Sequence, residues 1–199
     1  MIQLPSDPKK IRALISRYQR ELLSEAKKFG AIHDGYGKRY LLGPLYLLLG
    51  DLPGAIRSFE WFERTFPDDI GDPLHSLCWT LASYCTGNIV DASHRLLQTM
   101  LSNLYLIPYL LGIEQSKLNI WHHSNDWEIE YPQEIPGEIW ALWDTAALEW
   151  ARKEFDSPEF YRIRARYIEI YEELQDLRPG PRRSLLVAEA FSLRDLAPK

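Results

Sequence analysis

No stretch of this chain approaches the roughly twenty consecutive apolar residues that a membrane-spanning helix needs. Its most apolar run, Tyr40–Leu49, is far too short. No membrane partner is therefore expected. Cysteine is scarce, with only Cys78 and Cys85. Seven positions apart on one helix, these would sit about 10 Å apart along the axis, too far for a disulfide. They read as small core hydrophobes in a reducing compartment. The opening residues lead into a charged helix rather than a secretory leader, so the expected location is cytoplasmic. Catalytic signatures are missing as well. There is no Gly-x-Ser-x-Gly elbow, no His-Glu-x-x-His and no Gly-Lys-Ser/Thr phosphate loop. Alternating apolar and polar residues, the mark of a half-buried strand, are also absent.

Net charge is −5, but its distribution matters more. Residues 1–40 carry nine Lys/Arg against four Asp/Glu, and residues 41–150 carry four against fifteen. Phosphate backbones are gripped by clustered Lys and Arg, so the acidic centre argues against nucleic acid. The basic N-terminal stretch (Lys9, Lys10, Arg12, Arg17, Arg20, Lys27, Lys28) reads as a solvated helix face. With 46% apolar residues the chain can bury a true core and is not of disordered composition.

Apolar residues recur at three- and four-residue steps in nearly every segment. Ile11, Leu14, Ile15, Tyr18, Leu22, Leu23, Ala26 and Phe29 make one stripe on a helix that Ser6 or Asp7 caps and Gly30 ends. Further helices are expected over about 39–49, from Asp51 to Phe66, from Asp72 to Gly87 and over 89–101. The segment Leu104–Gly112 is apolar, and Pro108 must start or kink a helix there. Residues 113–135 lose the periodicity and read as a long ordered loop with at most one short helix. Helices resume over 137–154, 158–177 and 181–196. The expected fold is all-α in one compact domain: 1–112 as an N-terminal helix plus two helix pairs, 113–135 as a loop, and 136–199 as helices on the same array.

The first pair carries a recognisable set of marks. Leu42-Gly43, Tyr46, Gly50-Asp51, Ala55, Phe59 and Pro67 fall within residues 36–69. Small residues at such places let two helices approach, aromatics fill the space between them, and proline stops the unit. This resembles a tetratricopeptide repeat, whose period is 34 residues. A second unit, about 73–106, keeps Gly87 and Ala92 at an offset of 37, with Thr80 in place of the small glycine. Pro44, inside the first helix, departs from the family pattern, because it removes one amide hydrogen bond. The resemblance implies a short superhelix of helix-turn-helix units with capping helices. It also implies a concave groove that receives a peptide or partner protein. The groove positions would be Gly37, Tyr40, Pro44, Leu47 and Leu48, then Leu74, Leu77, Leu81, Tyr84 and Cys85. Among these Tyr40, Leu47, Leu77, Leu81 and Tyr84 are the candidate partner contacts. They are mostly apolar, with charge only at Lys38 and Arg39, which does not suit a carboxylate clamp. Such a groove either takes an amphipathic helix or is filled by the protein's own helices.

The second candidate site is the run Trp121-His122-His123-Ser124-Asn125-Asp126-Trp127, which joins two imidazoles, a carboxylate and two indoles. Its bland reading is a loop packed by its tryptophans. Adjacent histidines point different ways, so no metal is expected, nor any other cofactor. Trp140, Trp143 and Trp150 share the spacing of one helix face. His75, Cys78 and Cys85 share another and read as core. The expected function is a non-catalytic interaction or scaffold protein whose partner is another protein or peptide. Alternatives are an enzyme or small-molecule binder using the Trp121–Trp127 loop, and a structural homodimer.

Overall fold

The computed structural model describes residues 4–121 and 124–196, and among these there are eleven α-helices and no strand. The fold is all-α. The first helix, α1 (Pro8–Phe29), starts where the Asp7 side chain accepts from the Lys9 amide, with proline in the first turn. It ends at Gly30, whose left-handed φ of 72° only glycine adopts at no steric cost. Helices α2 (Lys38–Leu48) and α3 (Leu52–Thr65) are joined through Gly50 and Asp51, and the Asp51 side chain caps α3 by accepting from the Gly54 amide. In the same way α4 (Pro73–Cys85) is capped by Asp72 and α5 (Ile89–Ser102) by Asn88.

Close approach of α2 and α3 requires Gly43. A Cβ there would lie 2.2 Å from the Phe59 ring, far inside contact distance. The equivalent place on α4 holds Thr80 and works differently. Its hydroxyl bonds the Ser76 carbonyl (2.9 Å) and meets the Thr99 hydroxyl on α5 (2.9 Å), so the α4–α5 seam carries a buried polar pair.

Pro44 does not break α2. It denies the Tyr40 carbonyl its intrahelical donor, and the imidazole of His75 on α4 replaces that donor at 3.0 Å. A carbonyl only accepts, so Nδ1 of His75 carries the proton. The ring stands among Tyr40, Phe59, Phe62 and Trp79, with centroids 4.4 to 5.9 Å away. Burial pushes its pKa down to about 4.

The short α6 (Leu106–Leu110) takes Pro108 in its first turn, where an amide would be unpaired anyway. Two tight segments stand in the region read as loop: a 3₁₀ turn at Asn125–Trp127 and α7 (Tyr131–Glu134). The expected single helix over 137–154 is instead two, α8 (Gly137–Trp140) and α9 (Thr145–Phe155). Asp144 causes the break, because its side chain accepts from the Ala147 amide and starts a new helix. Trp140, Trp143 and Trp150 therefore do not share one helix face. Finally α10 (Pro158–Asp176), capped by Ser157, and α11 (Pro181–Arg194) complete the chain.

One hydrophobic core runs from α2 to α11. A smaller one lies under α1, where Ile11, Ile15 and Leu22 meet Leu42 and Leu45 of α2. Cys78 is in the core, where burial pushes its thiol pKa up, but Cys85 is exposed rather than the core hydrophobe expected. Both thiols are free. Among the described residues no helix is long and apolar enough to cross a membrane.

Candidate functional site

The inner faces of α2 and α4, the expected groove, are covered. Leu77 and Leu81 are fully buried and Leu47 nearly so. Tyr84 stacks on Trp150 of α9 with centroids 4.8 Å apart. Tyr131 of α7 reaches onto the start of α4. Its hydroxyl accepts from the Leu74 amide (3.2 Å) and donates to the Asp72 carboxylate (3.1 Å). Tyr40 is half-buried and donates to Asp69 (2.8 Å), which also takes the Arg39 guanidinium (2.8 Å). Burial beside that carboxylate pushes the phenol pKa up to about 12. These side chains hold the array together and occupy the inner faces of α2 and α4.

The two tryptophans of the loop run both pack on Tyr171 of α10. Trp127 is buried against Tyr171 (4.8 Å) and Tyr167 (6.0 Å). Trp121 lies parallel to Tyr171 (6.2 Å) with the Arg183 guanidinium 4.9 Å from its ring centre. Asp126 is exposed, and its backbone carbonyl accepts from the buried Asn103 side chain at 2.7 Å. His122 and His123 lie outside the described residues. Among the described residues no group of three His, Cys, Asp or Glu is arranged to hold a metal.

Two openings stand out among the described residues. The larger, about 600 Å³, lies between α1 and α3. Its floor is Leu22, Leu42, Gly54 and Ser58, and its walls include Leu23 and Trp61. Leu23 is 59% exposed despite standing on the apolar stripe of α1. The Ser58 hydroxyl is buried with no partner among the described residues.

Charge around this groove is mostly basic. Arg57 lines it, Arg64 flanks Arg57 on α3, and Arg20 and Lys27 border the same face of α1 at helical spacing. The carboxylates of α1 are committed elsewhere. Glu21 pairs with Lys38 on α2 (3.0 Å), and Glu25 accepts from the amides of His33 (3.2 Å) and Asp34 (3.0 Å). On α3, Glu60 pairs with Arg64 (3.8 Å).

This groove is not among the sites the sequence singles out. Leu22 and Leu23 look like ordinary core positions. The available signal is the pair of small residues Gly54 and Ser58, four apart on the α3 face turned towards α1. Gly54 admits the Tyr46 ring, which would lie 2.6 Å from a Cβ there, and the small Ser58 leaves the floor of the groove low.

The smaller opening, about 260 Å³, lies where the α3–α4 turn, α5 and the end of α11 meet. Against known protein families, curated proteins and solved structures, the chain finds no match.

Proposed function

We propose that the protein is a non-catalytic interaction module built on tetratricopeptide-like helix pairs, and that it docks its partner in the groove between α1 and α3. The partner is another protein, contributing an amphipathic helix whose apolar stripe is flanked by acidic residues. The observation that carries this reading is an open apolar groove rimmed by cations, on a molecule whose inner helix faces are occupied by its own chain. Leu23 and Trp61 offer the anchors that a helix-in-groove contact uses. Arg20, Lys27 and Arg57 supply charge complementarity, which sets specificity and the association rate.

The test uses two designed helical peptides with the same leucine stripe, one flanked by glutamate and one by lysine. Binding is read by fluorescence anisotropy at two salt concentrations. The glutamate peptide should bind and weaken as salt rises. The Leu23→Asp variant should weaken it by about tenfold or more, as expected for loss of an interface anchor. Because Leu23 is exposed, this variant should fold normally. Equal binding of both peptides, or binding unchanged in Leu23→Asp, overturns the reading. Concentration-dependent dimerisation abolished by Leu23→Asp would replace it with self-association through the same groove.

A further inference from the structure

The smaller cleft has chemistry of its own and lies on the far side of α3 from the docking groove. Two guanidinium groups border it. Arg95 lies over Trp79, its Cζ 3.4 Å from the ring centre. Its Nε is bonded to Asp91 (2.9 Å) and one terminal nitrogen to Glu63 (3.4 Å). That fixes the plane of the group, and no bond among the described residues uses its remaining nitrogen, Nη1.

Arg194, near the end of α11, is only 7% exposed and lies beside the Tyr167 and Tyr171 hydroxyls. No carboxylate among the described residues is within ion-pair distance of it. A buried cation without a counter-charge is strongly unfavourable, and guanidinium donors match a carboxylate in geometry and charge. The apolar side of the cleft is Phe62, Phe66 and Phe191. Phe191 is 54% exposed although it adjoins this concavity. At the mouth stand the exposed acids Asp68 and Asp195, whose charge opposes a multiply charged anion.

We propose that this cleft binds a small organic monocarboxylate with an aromatic or similarly flat apolar body. The carboxylate sits between Arg95 Nη1 and Arg194, and the apolar body lies against Phe62, Phe66 and Phe191. A volume of about 260 Å³ is just below the roughly 300–1,000 Å³ of pockets for drug-sized ligands. The ligand is therefore small. The site stands independently of the α1–α3 groove.

Benzoate is the probe, with benzylammonium and inorganic phosphate as comparisons, titrated into the full chain and followed by the indole N–H signals in NMR. Benzoate should shift the Trp79 signal saturably, and neither comparison compound should do so. Arg95→Gln or Arg194→Gln should weaken benzoate by about tenfold, the loss of one charge-assisted hydrogen bond. Phe191→Ala removes an exposed ring and leaves the fold intact, so it keeps the test open should an arginine variant misfold. It should weaken benzoate severalfold. No saturable shift with benzoate, equal response to benzylammonium, or unchanged affinity in Phe191→Ala overturns the assignment.

Discussion

A single imidazole replaces a missing amide at the centre of the molecule. His75 is fully buried, donates through Nδ1 to the carbonyl that Pro44 leaves unpaired, and is therefore neutral in the native state. Its pKa falls from the ordinary 6.5 to about 4 because burial disfavours the charged form. Stability is linked to that shift. Above pH 6.5 neither state binds this proton, and His75 adds no pH dependence. As pH falls from 6.5 towards 4, the unfolded chain takes up the proton and the native state does not, so stability is lost across that window. The full loss is about 3 kcal/mol at 1.36 kcal/mol per pH unit. Urea midpoints measured from pH 7 to pH 4 should fall in the wild type and fall less in His75→Phe. At pH 7 the same variant strands the Tyr40 carbonyl, which costs about 1–3 kcal/mol. Introducing Pro44→Ala restores an amide at position 44, so His75→Phe should cost less in that background. A double-mutant cycle giving additive effects would show that the two residues do not share the carbonyl.

At the scale of the helix, the sequence makes legible what local chemistry decides. Asp7, Asp51, Asp72 and Ser157 are readable as caps, and each accepts from a backbone amide at the start of its helix. The break at Asp144 escapes a reading by periodicity because the apolar period continues across it and masks a cap of the same kind. The described residues within 113–135 are opaque for another reason. Their order comes from isolated long-range bonds, such as Leu118 to the Tyr105 hydroxyl (2.9 Å) and Trp121 to the Tyr171 carbonyl (3.0 Å), which leave no periodic trace. The covering of the α4 face by Trp150 is not readable either, since apolar residues look the same under a partner as under the protein's own chain. Glycine chemistry at Gly43 is local again and makes a sharp prediction. Gly43→Ala forces a methyl into the Phe59 ring and should cost about 1–3 kcal/mol. Gly137→Ala, where nothing lies within 4 Å, should leave the urea midpoint unchanged or slightly raised.

For the whole molecule, the question is whether the N-terminal helix pairs stand alone or depend on the C-terminal helices. The contacts between the two parts are specific. Trp150 stacks on Tyr84, Tyr131 bonds both Asp72 and Leu74, and the Arg152 guanidinium caps the Leu111 carbonyl. The core beneath them is continuous from α2 to α11. Without α7 to α11, the face of α4 that carries Leu74 and Tyr84 would lose Tyr131 and Trp150, exposing apolar surface that isolated proteins rarely tolerate. The chain from α2 onward is thus expected to unfold as one unit, with tryptophan fluorescence and helical circular dichroism changing at the same urea concentration. Trp150→Ala separates this from a loose docking of two halves. Trp150 is half-buried, so the variant should cost about 2–3 kcal/mol, less than the 3–5 of a fully buried aromatic. If the coupling is global, that loss appears equally in hydrogen-exchange protection of the α4 and α9 amides. Protection lost only in α9, or two separated transitions in urea, would mean that the helix pairs hold their own fold and the later helices cover them as a dispensable lid. In that case the face of α2 and α4 would return as a docking surface, competing with the groove between α1 and α3.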